Sequence, residues 1–221
     1  MIELNLDLHV HSEASYDCQS SPEKIIETAK DRDHLDGIAI TDHDSTESVS
    51  KLKELGKKED LVIIPGTELS TLDGHLLALN IEEEISSGLP IKESVEKVKE
   101  AGGLSIIPHP FQLLRHGVHR SKLKQIDPDA IEAFNSRLIT GFRNFQARRY
   151  AEKRGHPMTA GSDAHVPELV GNTYTRIEAE SREIEDIMDA IKQGRTEVKA
   201  KRTPLISFMK QIYFNNLSLK R

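Results

Sequence analysis

Short apolar runs alternate with amphipathic stretches along the 221 residues of this chain. The first run, 2–8, alternates apolar with polar residues, which predicts a half-buried strand. Later runs are continuous, as at 37–40 and 104–107, and predict strands buried on both faces. Between the runs, apolar residues recur at the spacing of one helix face, and four predicted helices cover about 22–33, 91–101, 138–154 and 181–193. A fifth is expected to open at a capping box formed by Asp44 and Glu47 and to close at Gly56.

The order of these elements predicts the fold class. Strand, polar cluster and helix follow one another about seven times, and such alternation favours a parallel sheet covered by helices. This α/β arrangement is either a barrel or a doubly wound sheet. Because no repeat or low-complexity linker interrupts the chain, we expect one domain over residues 1–221, with an amphipathic helix at about 203–217. That helix is expected to pack across the barrel bottom or against a second subunit; a membrane-surface helix is the alternative.

Composition limits the partners and the location that we expect. The formal net charge is -6, so the molecule repels polyanions and stable binding to nucleic acid is not expected. No apolar run reaches the roughly 18 residues of a membrane span, and no signal peptide is recognisable. The single cysteine, Cys18, excludes an internal disulfide and fits a reducing cytoplasm. We therefore expect a cytoplasmic protein that acts on small molecules, and the oligomeric state stays open.

Histidines and carboxylates gather where the predicted strands end. His9 and His11 follow the first run with one residue between them, and because side chains alternate along a strand, both imidazoles project to one side. Histidines scattered over a surface would instead fall on helices and at both strand ends. The groups at the strand ends are His9, His11, Asp17, His43, Glu68, His75, His109, Asp163 and His165. One metal ion takes roughly four to six ligands, so this set predicts two or three divalent ions that share ligands.

The motifs formed by these groups are, in order, His-X-His, Thr-Asp-His, Gly-X-Glu, a following His, Pro-His-Pro and Ser-Asp-Ala-His. This set resembles the polymerase and histidinol phosphatase (PHP) family of metal-dependent phosphoesterases, from Asp7 to His165. The resemblance implies a distorted (β/α)7 barrel of PHP type, with a metal cluster at the carboxyl ends of the strands. It also implies that all nine groups are metal ligands. Imidazole and carboxylate accept manganese, zinc and iron alike, so the metal is left open.

The resemblance further divides the ligands among three ions. Glu68 would bridge the first two ions, and Glu68, Asp163 and His165 are the ligands expected to act in catalysis. The implied sets are His9, His11, Glu68 and Asp163 for the first ion, Glu68, His75 and His109 for the second, and Asp17, His43 and His165 for the third.

Hydrolysis of a phosphate ester needs groups beyond the ions. A hydroxide that bridges two ions about 3.5 to 4 Å apart attacks phosphorus, while the ions neutralise the phosphoryl oxygens. Arg137 is expected to contact phosphate, and Asn135 to orient a ligand or the substrate. The loop after Pro-His-Pro is either a second source of phosphate contacts or a solvated basic loop, and its candidates are Arg115, His116, His119 and Arg120.

Two further residues have alternative interpretations. Cys18 stands where relatives often have glycine, and we expect a small buried side chain, with a thiolate ligand as the alternative. Asp42 is expected either to fix the tautomer of His43 or to serve as a turn residue.

The leading functional prediction is a metal-dependent phosphatase or phosphodiesterase acting on a small phosphorylated metabolite or nucleotide. A histidinol-phosphate phosphatase is an alternative. Nucleotide phosphatases of the family can carry a lid inserted between the residues that match His75 and His109, and this interval leaves no room for it, which argues against transferring their substrate. An amidohydrolase would need a metal-bridging lysine at a central strand end, and none follows Ile64, Asn80 or Ile107. A non-catalytic, metal-stabilised module would fit the loss of several ligands, and none is lost.

Overall fold

The computed structural model describes residues 1–112, 116–137 and 141–201, and the structural statements below concern these residues. The predicted phosphate contact of Arg115 and the amphipathic helix at about 203–217 lie outside them. The described strands are β1 (Ile2–Val10), β2 (Gly37–Ile40), β3 (Asp42–His43), β4 (Val62–Ile64), β5 (Gly66–Thr71), β6 (Gly74–Leu79), β7 (Leu104–Ile107), β8 (Ala130–Asn135), β9 (Met158–Gly161), β10 (Tyr174–Ala179) and β11 (Thr196–Lys199). The described helices are α1 (Pro22–Lys30), α2 (Val49–Lys58), α3 (Ile91–Glu100), α4 (Arg120–Leu123), α5 (Phe142–Arg154) and α6 (Ile184–Lys192).

The strands form two mixed sheets. In the first, of order β11-β10-β1-β2-β4, the β1, β2 and β4 strands are parallel, and β10 is antiparallel to both of its neighbours. In the second, of order β3-β5-β6-β7-β8-β9, only β6 runs antiparallel to its neighbours. The α/β class is therefore confirmed, whereas the expectation of a purely parallel sheet is wrong. The described strands do not form one closed sheet, and the (β/α)7 barrel stays a prediction.

A two-residue hairpin loop explains the reversal in the second sheet. Thr71 of β5 pairs with Gly74 of β6, and a parallel connection would need about a dozen residues or more. Gly74 has a φ of +133°, which side chains of L-residues rarely allow, and a Cβ there would lie 2.6 Å from the carbonyl oxygen of His116. The reversal also places His75 near the end of β5, although His75 itself stands at the start of a strand.

The two sheets meet where β1 and β9 end. Val10 forms a single parallel bridge with Ala164. On either side of it, the Asp163 N–H donates to the His9 carbonyl oxygen at 2.8 Å, and the His11 N–H donates to the Ala164 carbonyl oxygen at 3.1 Å. These backbone bonds bring the first motif of the chain against the last one.

Apolar residues pack in three clusters around the sheets. One cluster joins strands of both sheets to α6, and β1 contributes Leu4, Leu6 and Leu8 to it. A second cluster packs α3 and α5 on the second sheet, and a third packs α1 and α2 on the first. Burying these faces fixes the strands whose ends carry the polar motifs.

Candidate metal centre

His9 and His11 project to the same side of β1, as their spacing predicts. Both side chains are fully buried, and their Nε2 atoms lie 3.1 Å apart. His9 Nδ1 lies 3.0 Å from Glu132 Oε1. Because an ionised carboxylate only accepts hydrogen bonds, the His9 proton belongs on Nδ1, and the Nε2 lone pair points into the cluster. This is the orientation that a metal-binding imidazole needs.

Glu68, in β5, lies at the centre of the cluster. Its two oxygens face imidazole nitrogens at 2.9 to 3.4 Å, with His75 and His109 at Oε1, and His9, His11 and His43 at Oε2. Burial acts to raise the pKa of Glu68, but the imidazoles, led by His75, outweigh it and hold the pKa well below its usual range. Glu68 is thus an ionised carboxylate shared by five imidazoles, which suits a bridging ligand.

Asp163, His165 and Asp17 complete the other side of the cluster. Asp163 Oδ1 lies 3.3 Å from His165 Nδ1 and 3.8 Å from His11 Nε2. His165 Nε2 lies 2.9 Å from Asp17 Oδ2, and the other Asp17 oxygen is 3.6 Å from His43 Nε2. All nine residues predicted as ligands therefore lie together. Four groups of three donors have their ligand atoms within 4.8 Å of one another, namely His11, His43 and His165; His9, His11 and Asp163; His9, Glu68 and His109; and His43, Glu68 and His75.

Two of these residues have an unusual backbone conformation. His109 has a φ of +29° and Asp163 a φ of +53°, a region that residues other than glycine rarely adopt. Backbone hydrogen bonds hold both conformations, because the His109 N–H donates to Glu132 Oε2 at 2.7 Å and the Asp163 N–H donates to the His9 carbonyl oxygen. Such conformations concentrate at functional sites, where the surrounding structure holds them.

The electrostatics of the cluster favours cations. Burial lowers the pKa of His43 to about 4 and that of His165 to about 3, so both imidazoles are neutral at pH 7 and keep a lone pair for a metal ion. Burial opposes a charge on His9 too, but three neighbouring carboxylates, led by Asp163, outweigh it and raise the pKa of His9 well above its usual value. The negative field that favours a proton on His9 also favours a metal ion there. The donor set thus fits divalent ions.

Glu132, in the middle of β8, was not among the predicted site residues. Its Oε1 faces His9, and its Oε2 accepts from the backbone N–H of His109 and, at 3.0 Å, from Asn135 Nδ2. Asn135 Nδ2 also donates to Asp163 Oδ2 at 3.0 Å, so Asn135 contacts a residue of the cluster, and its orienting role stays a prediction. The available signal was an acidic residue inside an otherwise apolar strand, since a buried carboxylate requires donors around it.

Asp42 supports His11 rather than His43. Its carboxylate accepts from the Ser12 backbone N–H at 2.6 Å and from the Ser15 hydroxyl at 2.8 Å. Since Ser15 donates to Asp42, its oxygen accepts from His11 Nδ1, which lies 3.0 Å away. The expectation that Asp42 fixes the tautomer of His43 is therefore wrong, and Asp42 acts on His11 through Ser15.

Cys18 is a buried thiol. Its Sγ lies 3.4 Å from the carbonyl oxygens of His11 and His165, so the thiol donates to the backbone. Burial raises the pKa of Cys18 to about 11, which disfavours the thiolate that metal binding requires. The interpretation as a small buried residue is the one that this environment favours.

The arginines predicted to contact phosphate lie in two places. Arg137 reaches the cluster, with its Nη1 3.3 Å from Asp163 Oδ1 and 2.9 Å from His165 Nε2. Arg120 does not, since its guanidinium lies over the rings of Phe111 and Tyr150, 5.8 and 5.9 Å from their centroids. A loop contact of this kind has no periodicity that the sequence could reveal.

A cavity of about 190 Å³ opens over the cluster. Among its walls are Tyr16, whose ring stacks 4.9 Å from His43, and His116, whose ring stacks 5.0 Å from His75. Tyr16 is 63% exposed and was not a predicted site residue. The remaining described residues that line the cavity are Asp17, His43, Glu68, His75, His109, Arg137 and Asp163.

Comparisons with known proteins identify the class of protein. The PHP-associated family model matches residues 141–196. The chain is 35% identical over 181 residues to the uncharacterized protein MJ0417 of Methanocaldococcus jannaschii. This alignment covers 78% of this chain and 70% of the relative. It is 35% identical over 83 residues to the phosphoribosyl 1,2-cyclic phosphate 1,2-diphosphodiesterase of Eggerthella lenta, 35% of this chain and 31% of that protein.

A solved structure has the same fold. The two-domain protein of Bacteroides vulgatus, described as containing a predicted PHP-like metal-dependent phosphoesterase, superposes on 95% of this chain and 70% of its own with a TM-score of 0.74 at 21% identity. Together with the PHP-associated match and the relative in Methanocaldococcus jannaschii, this fold shows that the chain belongs to the PHP family. In the described part of the chain, no helix has the length and apolar character to cross a membrane.

Proposed function

We propose that this protein hydrolyses the phosphate ester of a small metabolite or nucleotide, using two or three divalent ions held by the nine clustered residues. The observation that carries the proposal is the position of Glu68, an ionised and buried carboxylate whose oxygens face five imidazoles. Divalent ions bound there supply Lewis acidity and lower the pKa of water. Family membership supports the same reaction class.

The residues of the chain divide the remaining tasks. Glu132 and Ser15 fix the tautomers of His9 and His11, so that both Nε2 lone pairs point inward. Arg137 enters the cavity from the end of β8 with a planar fork that matches phosphoryl oxygens. Its contact with Asp163 holds this fork beside the cluster before substrate arrives.

The cavity favours a small substrate. About 190 Å³ accommodates a phosphate group and little more, so the rest of the substrate extends past Tyr16 and His116 toward solvent. The exposed ring of Tyr16 offers a flat apolar surface at this mouth. Partial similarity to a cyclic-phosphate diesterase makes cyclic and linear diesters as relevant as monoesters.

The test is turnover of a panel of phosphate esters by protein that is stripped with a chelator and refilled with manganese, zinc or iron. The panel holds sugar phosphates, nucleoside monophosphates, histidinol phosphate, and cyclic and linear diesters. We expect phosphate-ester hydrolysis that requires the added metal. The exposed His34, on the loop before β2, provides the matched control: His34→Ala keeps the activity, whereas His9→Ala combined with His11→Ala loses it.

Two outcomes would contradict the proposal. One is hydrolysis of no ester by protein that demonstrably binds the ions, which would favour a non-catalytic metal-stabilised module. The other is full activity in the double histidine variant.

A further inference from the structure

A second cavity lies beside α4 and α5. It also measures about 190 Å³ and is lined by Phe111, His119, Arg120, Arg143 and Gln146. No described residue lines both this cavity and the one over the metal cluster. It is called the arginine cavity below.

The two arginines of the arginine cavity have no acidic partner among the described residues. Arg143 Nη1 donates to Gln146 Oε1 at 2.8 Å, and the Arg120 guanidinium lies over the rings of Phe111 and Tyr150. About half of the described arginines pair with carboxylates, as Arg148 does with Glu152 at 2.9 Å. Two guanidinium charges thus share one concave space without compensation.

The surrounding sequence strengthens this positive field. Residues 111–154 contain ten lysines and arginines but only four acidic residues, although the formal net charge of the whole chain is -6. A basic segment in an acidic protein focuses anions on one region of the surface. Stacking on Phe111 and Tyr150 also holds the Arg120 guanidinium in a defined place. The Arg120 side chain therefore loses less conformational entropy when an anion binds.

Both walls of the arginine cavity are tied to the metal cluster. Phe111 follows the cluster residue His109 by two positions. On the other wall, Asn144 stands next to Arg143 and bonds the backbone of Asn135 twice, accepting from its N–H at 3.1 Å and donating to its carbonyl oxygen at 3.0 Å. Because the Asn135 side chain bonds Asp163, the walls have a fixed relation to the cluster.

We propose that the arginine cavity is a second phosphate subsite, which binds a phosphate group of the substrate other than the one that is hydrolysed. This inference rests on the proposed function and names the substrate class more closely, as a small molecule with two phosphate groups. Two guanidinium forks with an adjacent imidazole suit a ligand with the charge of a dianionic phosphate better than a ligand with one carboxylate. In this proposal Arg120 does bind substrate, as the sequence predicts, but at a site separate from the metal cluster.

The kinetic test compares alkyl monophosphates with alkanediol bisphosphates of increasing chain length, using metal-loaded protein. At the length that spans both cavities, kcat/KM for the bisphosphate should exceed that for the monophosphate about tenfold or more, the effect of one or two charged hydrogen bonds. In Arg120→Gln combined with Arg143→Gln, this ratio should fall to about one. Arg148→Gln, on the same helix but outside the arginine cavity, should keep the ratio. Thermal unfolding of each variant checks its folding, and Arg120→Lys with Arg143→Lys should restore part of the ratio.

A binding measurement separates this inference from the proposed function. Calorimetric titration with inorganic phosphate should show one phosphate fewer per chain in the glutamine double variant than in the wild type, whether or not any ester is hydrolysed. Equal stoichiometry in the two proteins would overturn the subsite and leave a solvated basic loop. Loss of the bound phosphate without any preference for bisphosphates would overturn the assignment to substrate, since the cavity would then bind a separate anion.

Discussion

At the scale of single residues, Glu132 connects the two halves of the metal cluster. Its carboxylate faces His9 of the first sheet and accepts from the backbone N–H of His109, which follows β7 of the second sheet. Asn135 links the same carboxylate to Asp163. Partners of this kind set the orientation and basicity of metal ligands, so Glu132 is a positioning residue for both.

We predict that Glu132→Gln weakens metal binding about 10- to 100-fold, because His9 loses its negatively charged partner while the side-chain volume is kept. Competition with a chromophoric chelator measures the affinity. The control is Glu152→Gln, an exposed position on α5 whose carboxylate pairs with Arg148, and it should leave the affinity unchanged. Equal affinities in the Glu132 variant and the wild type would show that Glu132 has no role in metal binding.

At the scale of elements, the β5–β6 hairpin brings two site residues to the same end of the sheet. Glu68 stands in β5 and His75 in β6, and the short loop reverses the chain between them. The loop depends on Gly74, whose φ of +133° and close approach to the carbonyl oxygen of His116 exclude a side chain. His75 is fixed further by its N–H, which donates to the same carbonyl oxygen at 2.8 Å.

We predict that Gly74→Ala destabilises the fold by about 2 kcal/mol or more, since it combines an unfavourable backbone conformation with a steric clash. Gly88 is the matched control, because it has a φ of +70° but open space around the position of a Cβ. Gly88→Ala should cost about 1 kcal/mol for the backbone conformation alone. Urea denaturation measures both free energies of unfolding, and equal losses would argue against the clash at Gly74.

At the scale of the whole molecule, sequence reasoning located the cluster because each of its motifs adjoins a recognisable strand. His109 directly follows the Leu104–Ile107 run with one proline between them, and Asp163 comes soon after β9. Glu132 was not predicted as a site residue because it lies within a strand rather than at its end. The role of Ser15 was not predicted because Ser15 lies in a loop, which has no periodic pattern. β11 was missed because the short polar run Thr196–Lys199 becomes a strand only by pairing with β10.

The sequence pattern also could not predict the direction of the strands or the position of Arg120. Apolar runs identify strands but carry no direction, so the antiparallel β6 and β10 were expected to be parallel. Arg120 belongs to a loop and a short helix, and its place over Phe111 and Tyr150 follows from how α5 packs. Contacts between elements of this kind arise from tertiary packing rather than from local pattern.

The central claim, that the nine residues form one polynuclear metal centre, is tested most directly by counting ions. Wild-type protein and the His9→Ala, His11→Ala double variant are dialysed with manganese or zinc, freed of excess metal and analysed by plasma mass spectrometry, with circular dichroism as the check on folding. We predict two or three ions per wild-type chain and at least one ion fewer in a folded double variant. A wild-type chain that retains no ion, or a double variant that retains the full number, would contradict the account.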